Sequence, residues 1–150
     1  MKKQILGIVA TLSIIITLSV AGFAGLAGRV KADIPFDFMV GKTRLPAGKY
    51  CVSRVTAEGS LAITSNETGK AASFLVRDGR TARGERTARL VFHRYGNQYF
   101  LAEIWDGESN MTQQLGKSKA EREAARAERS HLAQNNVAPE IVTVAALIGQ

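Results

Sequence analysis

The chain has 150 residues, 45% apolar and 22% charged, with 14 Gly, 3 Pro, a single Cys and a formal charge of +7. That length accommodates one domain with a tail and excludes a multidomain enzyme, and the balance of apolar and charged residues excludes wholesale disorder and collagen-like order. One Cys cannot form an intramolecular disulfide, and two His do not suggest a metal cluster. The sequence implies no cofactor.

The N-terminus reads as an export signal. Met1-Lys2-Lys3 opens the chain, no charge follows until Arg29, and Ile5 to Val20 is almost solid Ile, Leu, Val and Ala. Gly22, Gly25 and Gly28 then loosen the run, and Val30-Lys31-Ala32 meets the small-residue requirement for cleavage after Ala32. The expectation is therefore a signal peptide over residues 1–32 and a periplasmic or secreted domain over 33–150. The alternative is an uncleaved anchor. Ile5 to Ala27 would span about 35 Å as a helix, enough for a ~30 Å hydrocarbon core, and the chain would then meet a membrane through this segment only. Removing residues 1–32 leaves 16 basic and 13 acidic residues, a net charge of +3. A global nucleic-acid reading then loses its motive.

Beyond Ala32 the apolar residues alternate with period two. Ile34, Phe36, Phe38 and Val40 share one face; Gly41-Lys42-Thr43 and Leu45-Pro46-Ala47-Gly48 read as turns. Tyr50 to Val55, Leu61 to Thr64 and Ala72 to Val76 read as further strands separated by Glu58-Gly59 and Asn66 to Gly69. Arg77 to Arg86 is polar and broken by Gly, which predicts a loop. Leu90–Tyr95 and Gln98–Trp105, joined through Gly96-Asn97, give the clearest hairpin signal. Sequential strands on short connections predict an antiparallel meander of about six to seven strands, closed as a small barrel or folded as a sandwich.

The pattern changes at Lys117. Ser118-Lys119-Ala120-Glu121 fits a capping box, and residues 118–133 are rich in Ala, Glu and Arg, predicting a surface helix with its weak apolar side at Ala120, Ala124 and Ala127. Asn135-Asn136 and Pro139 end it. Ile141, Val142, Val144 and Leu147 predict a final strand over 140–148 that returns to the sheet.

Three stretches, Ile34–Tyr50, Arg89–Trp105 and Leu115–Glu123, together resemble a family of small exported bacterial proteins abundant in acidobacteria and related soil bacteria, to which no function has been assigned. The Phe38-Met39-Val40-Gly41…Leu45-Pro46-Ala47-Gly48 opening is the most distinctive part. The resemblance implies an exported β-rich domain with a basic helix near its end. It supplies no catalytic residues.

Candidate functional residues are few. Arg77, Arg80, Arg83, Arg86 and Arg89 follow one another every third position. Guanidinium forks match phosphate and carboxylate, so this series is a candidate anion-binding loop for an envelope component. The same residues would equally serve as a solvated loop that guards strand edges. His93 beside Cys51, a Ser or Glu103 would suit nucleophilic catalysis only if alternation brought them within hydrogen-bond reach; otherwise Cys51 and His93 are sheet residues and His131 is a surface one. Asp106-Gly107-Glu108-Ser109-Asn110 faintly resembles a calcium loop but lacks the further ligands. Asn66-Glu67-Thr68 and Asn110-Met111-Thr112 are glycosylation sequons in form, and Tyr99 and Trp105 share a strand parity that could present a stacking face, interrupted by Leu101. The leading expectation is a non-catalytic exported binding or structural domain. A carrier of a small apolar ligand inside a barrel is the alternative, and a hydrolase using Cys51 or Ser with His93 ranks last.

Overall fold

The computed structural model describes residues 29–56, 59–81, 86–109, 111–132 and 138–149. Most of the expected leader, and with it the cleavage or anchoring of residues 1–28, therefore lies outside the described residues. Within them the order is β1 (Arg29–Ile34), β2 (Phe38–Val40), β3 (Thr43–Leu45), β4 (Gly48–Arg54), β5 (Ser60–Ser65), β6 (Ala71–Thr81), β7 (Arg89–Tyr95), β8 (Gln98–Trp105), β9 (Met111–Leu115), α1 (Lys119–Leu132) and β10 (Glu140–Gly149).

Eight of these strands close on themselves in the order β8-β7-β10-β1-β4-β5-β6-β9, with β9 pairing back to β8 and every neighbour antiparallel. The fold is thus a closed eight-stranded barrel rather than a sandwich, and closure removes the edges that an open sheet would expose. The order also differs from a pure meander: β6 lies beside β9, not β7, so β6 to β9 form a Greek-key unit. The two longest strands make the corners. β6 pairs through Ala71–Leu75 with β5 and through Val76–Thr81 with β9. In the same way β10 pairs through Glu140–Ala145 with β7 and through Ala146–Gly149 with β1.

Strand alternation fills the barrel. Val30, Ala32 and Ile34 of β1, Tyr50 and Val52 of β4, Leu61 and Ile63 of β5, and Leu90 and Phe92 of β7 belong to one buried cluster. The expected single strand from Ile34 to Val40 is instead broken at Pro35 to Asp37, and β2 then joins β8 in parallel at Met39↔Phe100. This break turns Phe38, Val40 and Leu45 of the β2–β3 hairpin into the same core. Phe38 meets Tyr50 and Phe92 edge to face, with ring centroids 5.1 Å and 5.4 Å apart. Such aromatic pairs add to what burial alone contributes. An open pocket where Val30, Val52 and Leu61 meet Arg54, Asp106 and Gln113 holds about 30 Å³, room for one water molecule.

Helix α1 docks on the outside of the β7–β8 hairpin, where Ala125 packs with Tyr95 and Phe100, flanked by Met39, Ala120 and Ala124. Ala127 is exposed, so the buried stripe is rotated from the expected one toward Glu121 and Ala125. Ser118 Oγ accepts the Glu121 N–H at 3.1 Å, as a capping box requires. The Glu121 carboxylate, however, turns to His93 on the barrel wall.

A basic groove on the outer wall of the barrel

Two local irregularities build the site. In β8 the register slips between Val91↔Glu103 and Phe92↔Leu101, leaving Ala102 as an extra residue. Such a bulge resets the in–out alternation. Leu101 and Ile104 therefore both join the interior core although three positions apart, and Glu103 points out. The bulge also sends Tyr99 into the core, stacked on Phe36 at 4.0 Å, while Trp105 lies on the other face beneath the Arg89 guanidinium. The stacking face suggested by their shared parity is not formed.

The second irregularity is in β6, between Asp78 and Thr81. A Cβ on Gly79 would stand 2.5 Å from Thr112 Oγ1 and 2.6 Å from Gln114 Cγ, so only glycine lets β9 approach this closely. Thr112 Oγ1 accepts the Arg80 N–H at 2.9 Å and donates to the Arg80 carbonyl at 3.3 Å. Clamped this way, Arg80 extends over Glu103, its Nη2 lying 3.3 Å and 3.5 Å from the two carboxylate oxygens. Gln114 Nε2 donates to Glu103 from the other side at 3.3 Å. The Glu103 side chain is only 6% exposed, whereas that of Arg80 is 73% exposed and free to take a second acceptor.

These residues bound a groove of about 190 Å³ across β6, β9, β8, β7 and β10. Arg77, Arg80, His93, Glu103, Gln114 and Lys117 supply its polar wall; Val91, Ala102 and Ile141 supply apolar surface. His93 Nδ1 lies 2.7 Å from Glu121 Oε1, and that carboxylate is itself buried. The groove sets three cations, Arg77, Arg80 and Lys117, against the carboxylate of Glu103, with that of Glu121 behind His93. The site is electropositive, and a solvent-facing guanidinium fork there is suited to a carboxylate or phosphate.

Of the five arginines in the series, Arg77 and Arg80 converge on the groove. They do so from a strand, because β6 continues to Thr81 where a loop was expected. Arg83 lies outside the described residues. Arg86 is exposed on the approach to β7, and Arg89 is engaged with the Trp105 ring at 4.8 Å. Lys117, Gln114 and Glu121 were not visible as site residues in the sequence; only the Ser-x-x-Glu spacing marked the last of them, and as a cap. Cys51 stands on β4, separated from His93 on β7 by β10 and β1. Three strand spacings put them roughly 14 Å apart along the sheet, beyond hydrogen-bond reach. The structure does not assemble that pair.

The Asp106 loop is a self-satisfied turn. Its carboxylate accepts from the Ser109 and Glu108 N–H groups and from Ser109 Oγ. Burial is the largest single influence on its pKa and acts upward, but the hydrogen bonds from Ser109 and Glu108 together outweigh it and hold the carboxyl below its usual range. Asn110 lies outside the described residues, as does the side chain of His131; Asn66 is exposed on the β5–β6 turn.

Fold and groove together define a closed antiparallel barrel with a basic cleft on its outer wall and a helix packed beside it. No protein-family model, curated protein or solved structure matches the chain. Among the described residues, no helix is long and apolar enough to cross a membrane.

Proposed function

We propose that this is an exported, non-catalytic binding domain whose outer groove takes an anionic component of the cell envelope, and that it belongs to the family of small exported bacterial proteins it resembles. Arg77 and Arg80 act as the guanidinium forks and Lys117 as a further positive charge. The observation that carries this reading is the convergence of these three cations, from two distant parts of the chain, on one groove whose buried carboxylate orients Arg80. The large side chains packed inside the barrel, Phe38, Tyr50, Ile63, Leu90 and Phe92, weigh against the alternative of an apolar ligand carried there. The distance between Cys51 and His93 weighs against hydrolysis by that pair.

The test is elution from an immobilised heparin column under a salt gradient. The triple variant Arg77→Ala, Arg80→Ala, Lys117→Ala should elute at clearly lower salt than the parent. Arg86→Ala removes one charge outside the groove and should shift elution far less. Equal shifts for the groove and the control, charge for charge, would reduce the interaction to net charge and sink the site.

A further inference from the structure

Within the described residues, strand β1 includes Arg29 to Ala32, the last four residues of the leader read from the sequence. Its entire pairing with β10 is made by those residues: Arg29↔Gly149, Val30↔Ile148, Lys31↔Leu147 and Ala32↔Ala146. Val30 and Ala32 are also buried in the barrel core, at 2% and 8% exposure. A chain starting at Asp33 would retain only Asp33 and Ile34 of this strand, paired to Lys49 and Gly48 of β4. It would lose every bond between β1 and the corner strand β10, and the barrel would open along Ala146–Gly149 with an unpaired edge facing solvent. Cleavage after Ala32 and a closed barrel are mutually exclusive.

We propose that the leader is instead removed after Ala27. This rests on the export-signal reading and moves only its cut. Gly25-Leu26-Ala27 places small residues at the two positions a signal peptidase reads, and no bulkier β-branched side chain stands at the first of them, as Val30 does in Val30-Lys31-Ala32. The mature chain then starts at Gly28 and keeps Arg29 to Ala32, the residues that pair β1 with β10. It also keeps Arg29 and Lys31, which raises its net charge to +5 against the +3 left by a cut at Ala32. Val30 and Ala32, which look like a processing motif in the sequence, are the inward-facing residues of a barrel strand.

The full precursor, expressed in a secretion-competent bacterium, tests this by intact mass and N-terminal sequencing of the exported protein. A start at Gly28 is expected. A start at Asp33 overturns the proposal while sparing the export reading, and an unprocessed chain overturns both. A second arm uses Ala27→Leu, which places a large residue at the cut and changes none of the residues that pair β1 with β10. Processing should then fail and precursor accumulate; processing at the unchanged position and rate would overturn the assignment.

Discussion

Glu103 distinguishes a groove that attracts anions by its charge from one that merely contains arginines. Replacing Glu103 with Gln keeps the shape and an amide oxygen for Arg80 but removes the one carboxylate that lines the groove. An anion accepting from the other N–H of Arg80 Nη2 would lie about 6 Å from that carboxylate: the 3.3 Å already spanned by Nη2 and Glu103 plus about 3 Å for a new hydrogen bond. At an effective dielectric of about 20 the repulsion is roughly 3 kcal/mol, and salt screening leaves on the order of 1–2 kcal/mol. Glu103→Gln should therefore tighten binding about tenfold, because about 1.4 kcal/mol is a factor of ten. Arg80→Ala removes a charge-assisted hydrogen bond of about 1.5–3 kcal/mol and should weaken binding tenfold or more. The two variants thus have opposite signs. Folding should change by less than about 1 kcal/mol in Glu103→Gln, since the partner Arg80 is largely exposed. Titration calorimetry with a short sulfated oligosaccharide measures both affinities. If Glu103→Gln weakens binding as Arg80→Ala does, the carboxylate acts by aiming Arg80, and the charge argument fails.

Phe92, fully buried and in edge contact with Phe36 and Phe38, tests whether the interior is packed. Phe92→Ala should cost about 3–5 kcal/mol by urea denaturation followed at Trp105; a cost under about 1 kcal/mol would mean a hollow barrel and revive the carrier. Asp106 makes the neighbouring turn acid-sensitive. Its folded pKa is depressed, so its contribution is present above the unfolded value near 3.9 and is lost as pH falls through the folded one. Trp105 Nε1 donates to the Ser109 carbonyl in that turn, and Trp105 is the chain's single tryptophan. Its emission should therefore shift below about pH 4 in the parent and not in Asp106→Asn; an identical shift in both would place the acid transition elsewhere.

The elements legible in the sequence are those whose apolar residues face one way without interruption. The β7–β8 hairpin, β4, β5, helix α1 from Lys119 to Leu132 and the final strand from Glu140 all follow period or capping signals that tertiary packing did not override. The strands that complete the barrel did not announce themselves, each for its own reason. The second half of β6 carries Arg77, Asp78, Gly79 and Arg80, which read as a loop because their partners are side chains of β9 rather than a core. β9 itself is Met-Thr-Gln-Gln-Leu, too polar and too short to show alternation. β1 was hidden by the leader, whose small-residue signal overlaps a strand's alternation at Val30 and Ala32. With these absent, six or seven strands and a meander are the natural count; with them, eight close. The groove was half legible, since two arginines of the series reach it. Lys117 and Gln114 arrive only through the pairing of β6 with β9, and no local pattern foretells that.

The bulge at Ala102 ties the site to the core. A regular β8 would place Leu101 and Ile104 on opposite faces, so packing both inside requires one extra residue between them. The residue displaced outward as a consequence is Glu103, and it lands where β6, pinned by Gly79 against Thr112, brings Arg80. A buried carboxylate on the outside of a barrel is costly unless paired, and here Arg80 and Gln114 supply the partners. Arg80 is thereby held over Glu103 while most of its side chain stays in water. The geometry that fills the barrel and the geometry that sets Glu103 beneath Arg80 on its wall are the same one-residue insertion.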